Sequence, residues 1–134
     1  MERRVQRKMF VRIKEASKKG YSIAEPGDIV NISHLGSTTK RARVKKGVAH
    51  TLVTSCHHGL VEKDLRIRRL TPKECWALQG FPTWAYEKAR EVNSDTQLYR
   101  QAGNSVSIPV IYEIAKRLAR ESPTNNVNFP SEFS

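Results

Sequence analysis

The seven residues Arg-Gln-Ala-Gly-Asn-Ser-Val at 100–106 lie between two stretches of helical periodicity and limit where this chain can turn. Residues 95–102 read as a short helix, with Asp95 as N-cap and Gly103 as the left-handed residue just past its last turn. Asn104 and Ser105 are then placed to hold the first free N–H groups of a second helix. Pro109 suits the first turn of that helix, where a missing N–H costs little. Val110, Ile111, Ile114, Ala115 and Leu118 recur at helical spacing, which predicts a helix over 107–120. Lys116, Arg117 and Arg120 lie near its end, where positive charge suits the dipole. A helix start with free N–H groups can also seat a small polar or anionic ligand.

The stretch before this block is also readable. Thr71, Pro72 and Glu74 form a capping-box pattern for a helix over 71–80, closed by Gly80. Cys75, Trp76 and Leu78 give that helix apolar surface. Phe81-Pro82 breaks the chain, and Trp84, Tyr86 and Ala89 are expected to pack back on the core.

The first half differs in charge and in pattern. Residues 1–70 carry 17 Lys and Arg against 6 Asp and Glu, while residues 71–134 carry 7 of each, so the whole net charge of +11 sits in the first half. Such a surface suits a polyanion. Val5, Met9, Ile13 and Ala16 fall at helical spacing, predicting a basic helix over 2–19 that Gly20 ends. Residues 21–66 read as strands and loops. Pro26-Gly27-Asp28 signals a turn and residues 28–32 alternate as a strand. Residues 34–40 are polar and loop-like, and Arg41, Arg43, Lys45 and Lys46 follow. Residues 48–54 read as a second strand, 55–59 as a turn, and Leu60-Val61 pairs back with residues 65–67. Arg and Lys on loops of such a module can enter a DNA groove, where guanidinium pairs bidentately with guanine and Ser, Thr or His bonds bases or phosphates.

Two cysteines, Cys56 and Cys75, give neither a disulfide framework nor zinc spacing and suit a reducing compartment. His57 and His58 are adjacent, a poor arrangement for a metal, and no third ligand is evident. There is no apolar run of membrane length and no signal-peptide core. The expected location is the cytoplasm, of a bacterial or phage-encoded protein. The last residues, 122–134, are rich in Ser, Asn and Pro and read as a flexible tail.

Two blocks carry a specific likeness. Arg-Arg-Leu-Thr-Pro-Lys-Glu-Cys-Trp-Ala-Leu-Gln-Gly-Phe-Pro at 68–82 and Thr-Gln-Leu-Tyr-Arg-Gln-Ala-Gly-Asn-Ser-Val at 96–106 resemble, in order and separation, the last two motifs of the DNA (cytosine-5) methyltransferases. The likeness extends over residues 20–118. It implies that residues 21–70 are the DNA target-recognition region, with Arg41 through Thr51-Leu52 as recognition loops. Thr51 would then contact a phosphate, and Arg41, Val53 and Ser55 would match base-facing positions, with Arg43 beside them. Asn104, Ser105 and Val106 would contact the donor, S-adenosylmethionine, and the helix over 71–80 would orient the recognition region.

The same likeness exposes what these residues lack. A cytosine C5 methyltransferase needs a thiolate to attack the base. In the family that Cys follows Pro, whereas here Ser55 precedes Cys56 and Glu74 precedes Cys75, so no catalytic residue is assigned. No two glycines lie close enough for the glycine-rich donor turn. Asn126-Val127 is preceded by Asn125, so the family's Glu-Asn-Val step is missing as well. The expectation is an α+β chain: a basic helix at 1–20, a β-rich recognition region at 21–70, motif helices at 71–121 and a tail at 122–134. It would be the C-terminal portion or small subunit of a methyltransferase, inactive alone. Its expected partners are double-stranded DNA, a catalytic subunit or domain, and a second copy through residues 107–120; no membrane is expected. The complete enzyme would flip its cytosine out of the helix. The alternatives are a stand-alone DNA-binding or regulatory module, and an inactive prophage remnant.

Overall fold

A computed structural model describes residues 9–121. The chain is α+β and divides into two compact units, one of residues 9–52 and 56–70, the other of residues 53–55 and 71–121.

In the first unit β1 (Val11–Lys14) and β2 (Tyr21–Ala24) form an antiparallel hairpin in which Val11 faces Ala24 and Lys14 faces Tyr21. A three-stranded antiparallel sheet follows, in the order β3 (Ile29–Asn31), β4 (His58–Val61), β5 (Ile67–Arg69). The turn expected at Pro26-Gly27-Asp28 is closed twice, by bonds between Glu25 and Asp28. Asp28 N–H donates to the Glu25 carbonyl at 3.0 Å, and the buried Asp28 carboxylate accepts from Glu25 N–H at 2.8 Å. Ile13, Ala24, Val30, Ala42 and Val61 form the core, with Val11, Ile32, Val44 and Ile67 packed on it. A Cβ at Gly59 would lie 2.4 Å from Ile32 Cγ2 and 2.8 Å from Ile67 Cγ2, so these β-branched side chains meet across a position that must have none.

The basic helix expected over 2–19 is corrected where it can be described, because residues 11–14 are strand β1; residues 1–8 lie outside the described residues. Helical spacing of Val5, Met9 and Ile13 competes there with the two-residue period of Val11 and Ile13 against Arg12 and Lys14. The second pattern wins because it buries Ile13 in the hairpin's inner face, and β-branched side chains suit that surface. Gly20, at φ +73°, turns the hairpin and does not cap a helix. The strand expected over 48–54 is absent. The segment that reaches β3 is instead 42–45: Asn31 N–H donates to Ala42 O at 2.8 Å, and Ile29 and Lys45 exchange both backbone bonds at 2.9 and 2.8 Å. The predicted return of 65–67 onto 60–61 is present as β4–β5, with Val61 opposite Ile67, although His58 and Gly59 belong to β4 and not to a turn.

The second unit holds α1 (Pro72–Leu78), α2 (Thr83–Val92), α3 (Asp95–Asn104) and α4 (Ile108–Glu121). The capping box is complete: Thr71 Oγ1 accepts from Glu74 N–H, and the Glu74 carboxylate accepts from Thr71 N–H at 2.8 Å. Trp76 is the anchor. Its indole N–H donates to Leu98 O at 3.0 Å, its ring stands 4.7 Å from that of Phe81, and Tyr86 meets it edge-on at 5.9 Å. Leu98, Ala102 and Cys75 are fully buried alongside. Trp84, by contrast, is 59% exposed and does not pack back.

Three expectations about 95–106 are corrected. Ser94, not Asp95, caps α3, accepting from Gln97 N–H. Gly103 lies inside α3 with no left-handed backbone, and α3 continues to Asn104. Ser105 therefore ends α3 and does not begin α4. Pro109 does stand in the first turn of α4, as expected. The tail at 122–134 lies outside the described residues. Among the described residues no helix is long and apolar enough to cross a membrane.

Candidate nucleic-acid interface

In the first unit, residues 41–45 alternate. Ala42 and Val44 pack on the core, while Arg41, Arg43 and Lys45 are exposed. This two-residue period presents three basic side chains on the outer side of one pinned segment. Its backbone is held from both directions. Ala16 N–H donates to Lys40 O at 3.3 Å, and Arg41 Nε donates to Ala16 O at 3.2 Å. Arg43 N–H donates to a carboxylate oxygen of Glu15 at 3.1 Å. Glu15 is buried, and its other oxygen accepts the Ser22 hydroxyl. Arg43 has a left-handed backbone, φ +49°, that a side chain adopts only when its surroundings impose it.

His50 closes the loop. Its Nε2 donates to Arg43 O at 2.6 Å, and its ring lies 5.8 Å from that of His58. Partial burial, opposed by the bond to the Arg43 carbonyl, pushes its pKa down, and the charges of His58, Lys45 and Arg43 add to that. Thr51 is exposed just beyond it. His57 is exposed and His58 buried, so the adjacent pair does not face one site.

The remaining expected positions lie in the second unit. Val53, Thr54 and Ser55 are exposed, and their backbone crosses α3 at Gly103. A Cβ on Gly103 would come within 2.5 Å of Thr54 N and Val53 C. The glycine is required by this close approach of two backbones and not by a turn. Val53, expected to face a base, and the Gly-Asn-Ser block, separate in sequence, are thereby neighbours. Asn104 is exposed at the end of α3. The Ser105 hydroxyl donates to Ala102 O at 2.8 Å, and Gln79 Nε2 reaches both Ala102 O and Ser105 O, at 2.9 and 3.4 Å. Val106 is 66% exposed. The start of α4 offers fewer donors than its sequence implies, because Gln79 O takes the Ile108 N–H and Pro109 has none. Both cysteines are buried, Cys56 at 1% and Cys75 at 0% exposure, which withholds each thiol from an external electrophile.

Sequence reasoning missed Glu15 and His50 as loop-setting residues. The available signal for Glu15 was one acid among basic residues just past a strand with a buried face.

The family model for C-5 cytosine-specific DNA methylase matches residues 3–120. The orphan methyltransferase M.Rho11sI of Bacillus phage rho11s is 46% identical over 74 residues, which are 52% of this chain and 15% of that protein. A DNA-cytosine methyltransferase of Escherichia coli (strain K12) is 55% identical over 53 residues, 40% of this chain and 11% of its own length. The type II methyltransferase M.HgiCI of Herpetosiphon aurantiacus is 48% identical over 66 residues, covering 48% and 14%. The chain thus spans well under a fifth of these relatives. No solved structure matches it.

Gly103→Ala is expected to force residues 53–55 off α3, costing at least the ~1–3 kcal/mol of an overpacked site, because the obstructing atoms are backbone. Thermal unfolding, with proteolysis mapped to 53–55, measures it; an unchanged melting temperature would contradict the close approach. For His50, the sign follows from its lowered pKa. An unfolded histidine takes up its proton near pH 6.5, roughly, and the folded one only at lower pH. Between the two the unfolded chain binds more protons. The contribution is therefore complete above about pH 6.5 and is lost as pH falls toward the folded value. An imidazole titration by NMR should place His50 below the unfolded value, and a midpoint above it would refute this.

Proposed function

The chain belongs to the C-5 cytosine-specific DNA methylase family, and from that premise we propose that it supplies DNA target recognition and one wall of the donor pocket to a DNA (cytosine-5) methyltransferase. The nucleophile and the glycine-rich donor turn would come from a catalytic domain or polypeptide. The observation that carries this reading is the pinned segment 41–45, whose exposed Arg41, Arg43 and Lys45 stand on a backbone that the core and Glu15 hold in place. A rigid loop that presents guanidinium groups is what base reading in a groove requires. In this reading Arg41 and Arg43 address the duplex, Thr51 a phosphate, and Val53 and Ser55 the bases.

Donor binding is assigned to Asn104, Ser105 and Val106. The exposed Asn104 amide offers donors and an acceptor, and exposed Val106 offers an apolar contact. Ser105 keeps the turn between α3 and α4 through its bond to Ala102 O, which leaves its hydroxyl less available than its neighbours. These groups suit the edge of a pocket for S-adenosylmethionine, which when bound supplies the methyl group.

The partner reading rests on α4. Val110, Ile111, Ile114 and Leu118 are 47–60% exposed, an unusual amount of aligned apolar surface for one helix. The relatives' additional length provides an occupant, the catalytic domain. A second copy of this chain is the competing occupant.

Two measurements test the proposal. Across a mixed-sequence duplex library, Thr51→Ala should weaken binding to every sequence alike. Arg41→Ala should cost ~1–3 kcal/mol of discrimination at one base step. A uniform loss for Arg41→Ala would reject base reading. With labelled S-adenosylmethionine, the chain alone should transfer nothing, and adding a catalytic polypeptide of the family should restore transfer. Ile114→Asp should block that restoration while circular dichroism stays unchanged. Transfer by the chain alone, or restoration indifferent to Ile114→Asp, would overturn the division of labour.

A further inference from the structure

We infer that the β1–β2 hairpin is a second DNA-contacting surface, a phosphate clamp beside the base-reading loop, with Lys14, Lys18 and Lys19 as its contacts. The inference rests on the function proposed above and names where the duplex extends.

The two faces of the hairpin differ in chemistry. Val11, Ile13, Ser22 and Ala24 point to the core side, and Ile13 and Ala24 are buried. Arg12, Lys14, Tyr21 and Ile23 are exposed on the other. The turn that joins the strands adds Lys18 and Lys19, both exposed. The acid in this stretch, Glu15, is turned inward and spent on Ser22 and Arg43. Other basic residues of the unit are neutralised locally: Lys46 by Glu25 and Asp28, Arg66 by Asp64, Arg68 by Glu62. Lys14, Lys18 and Lys19 take part in none of these pairs. Arg12 lies over the Tyr21 ring, 5.2 Å from its centre, which holds that guanidinium along the ribbon.

The position of the hairpin decides the partner. Its turn is bonded to the recognition loop at three points: Ala16 N–H to Lys40 O, Arg41 Nε to Ala16 O, and Arg43 N–H to Glu15. A duplex read by Arg41 therefore passes within reach of the turn lysines. Lysine is a point charge on a flexible stem, suited to phosphate and poorly suited to reading a base. The clamp would add affinity that is independent of sequence.

The full chain and a mixed-sequence duplex test this. In the triple variant Lys14→Gln, Lys18→Gln, Lys19→Gln, the slope of log K against log[salt] should become shallower by about 2.7, three contacts at roughly 0.9 each. Affinity at ~0.1 M salt should fall at least tenfold by the same counterion release, with base preference unaltered. The double variant Lys73→Gln, Lys88→Gln removes charge from residues already paired with Glu87 and Glu91 and should leave the slope unchanged. An unchanged slope in the triple variant, or an equal change per charge in the double variant, would overturn the clamp while leaving Arg41 base reading intact. Polyglutamate that competes as well as duplex at equal charge would assign the ribbon to an acidic protein and overturn it too. A wild-type chain with no duplex affinity would bring down both the clamp and the recognition reading.

Discussion

The buried carboxylate of Glu15 is the interaction on which the first unit depends. It is 7% exposed and accepts the Ser22 hydroxyl on one oxygen and the Arg43 N–H on the other. Burying a carboxylate is costly unless its oxygens are bonded, and here each has a donor from a different part of the chain. One bond closes the hairpin across its strands. The other holds a left-handed Arg43 that an unsupported backbone would leave. The basic segment is therefore set by an acid that is invisible from the surface.

The second unit depends on α1 in a comparable way, through neutral groups. Trp76 and Gln79 donate to backbone carbonyls of α3 and of the turn after it, while Gly80, at φ +84°, leaves room for Pro109 at the start of α4. The two motifs that looked like separate sequence signatures are halves of one packing arrangement. That arrangement ends in a helix whose apolar side faces solvent, which is costly for a small domain unless a larger body covers it.

The exposed residues of 41–45 alternate with core residues and stand beside a buried acid, and the backbone of 53–54 crosses a helix glycine. Loops that carry recognition on a rigid base are the expected way to separate affinity from stability.

What the sequence determined by itself was local. The Thr71–Glu74 capping box, the helix at 108–121, the turn at 25–28 and the pairing of 60–61 with 67 all rest on residues within a few positions of each other, so propensity and capping chemistry decide them. The family likeness of the two blocks was equally legible, because it needs order and spacing and not geometry. Tertiary structure decided the rest. Residues 11–14 carried two competing periods, and only burial of Ile13 against Ala24, Val30 and Val61 selected the strand. Residues 42–45 rather than 48–54 reached β3 because Ala42 and Val44 fit the core there. Gly103 could be read from sequence only as a helix terminator, since nothing local reveals that Val53 and Thr54 cross α3 at that point. Glu15, 28 residues from Arg43, could be recognised as its partner only once the chain had folded, because a hydrogen bond across that separation has no sequence period to announce it.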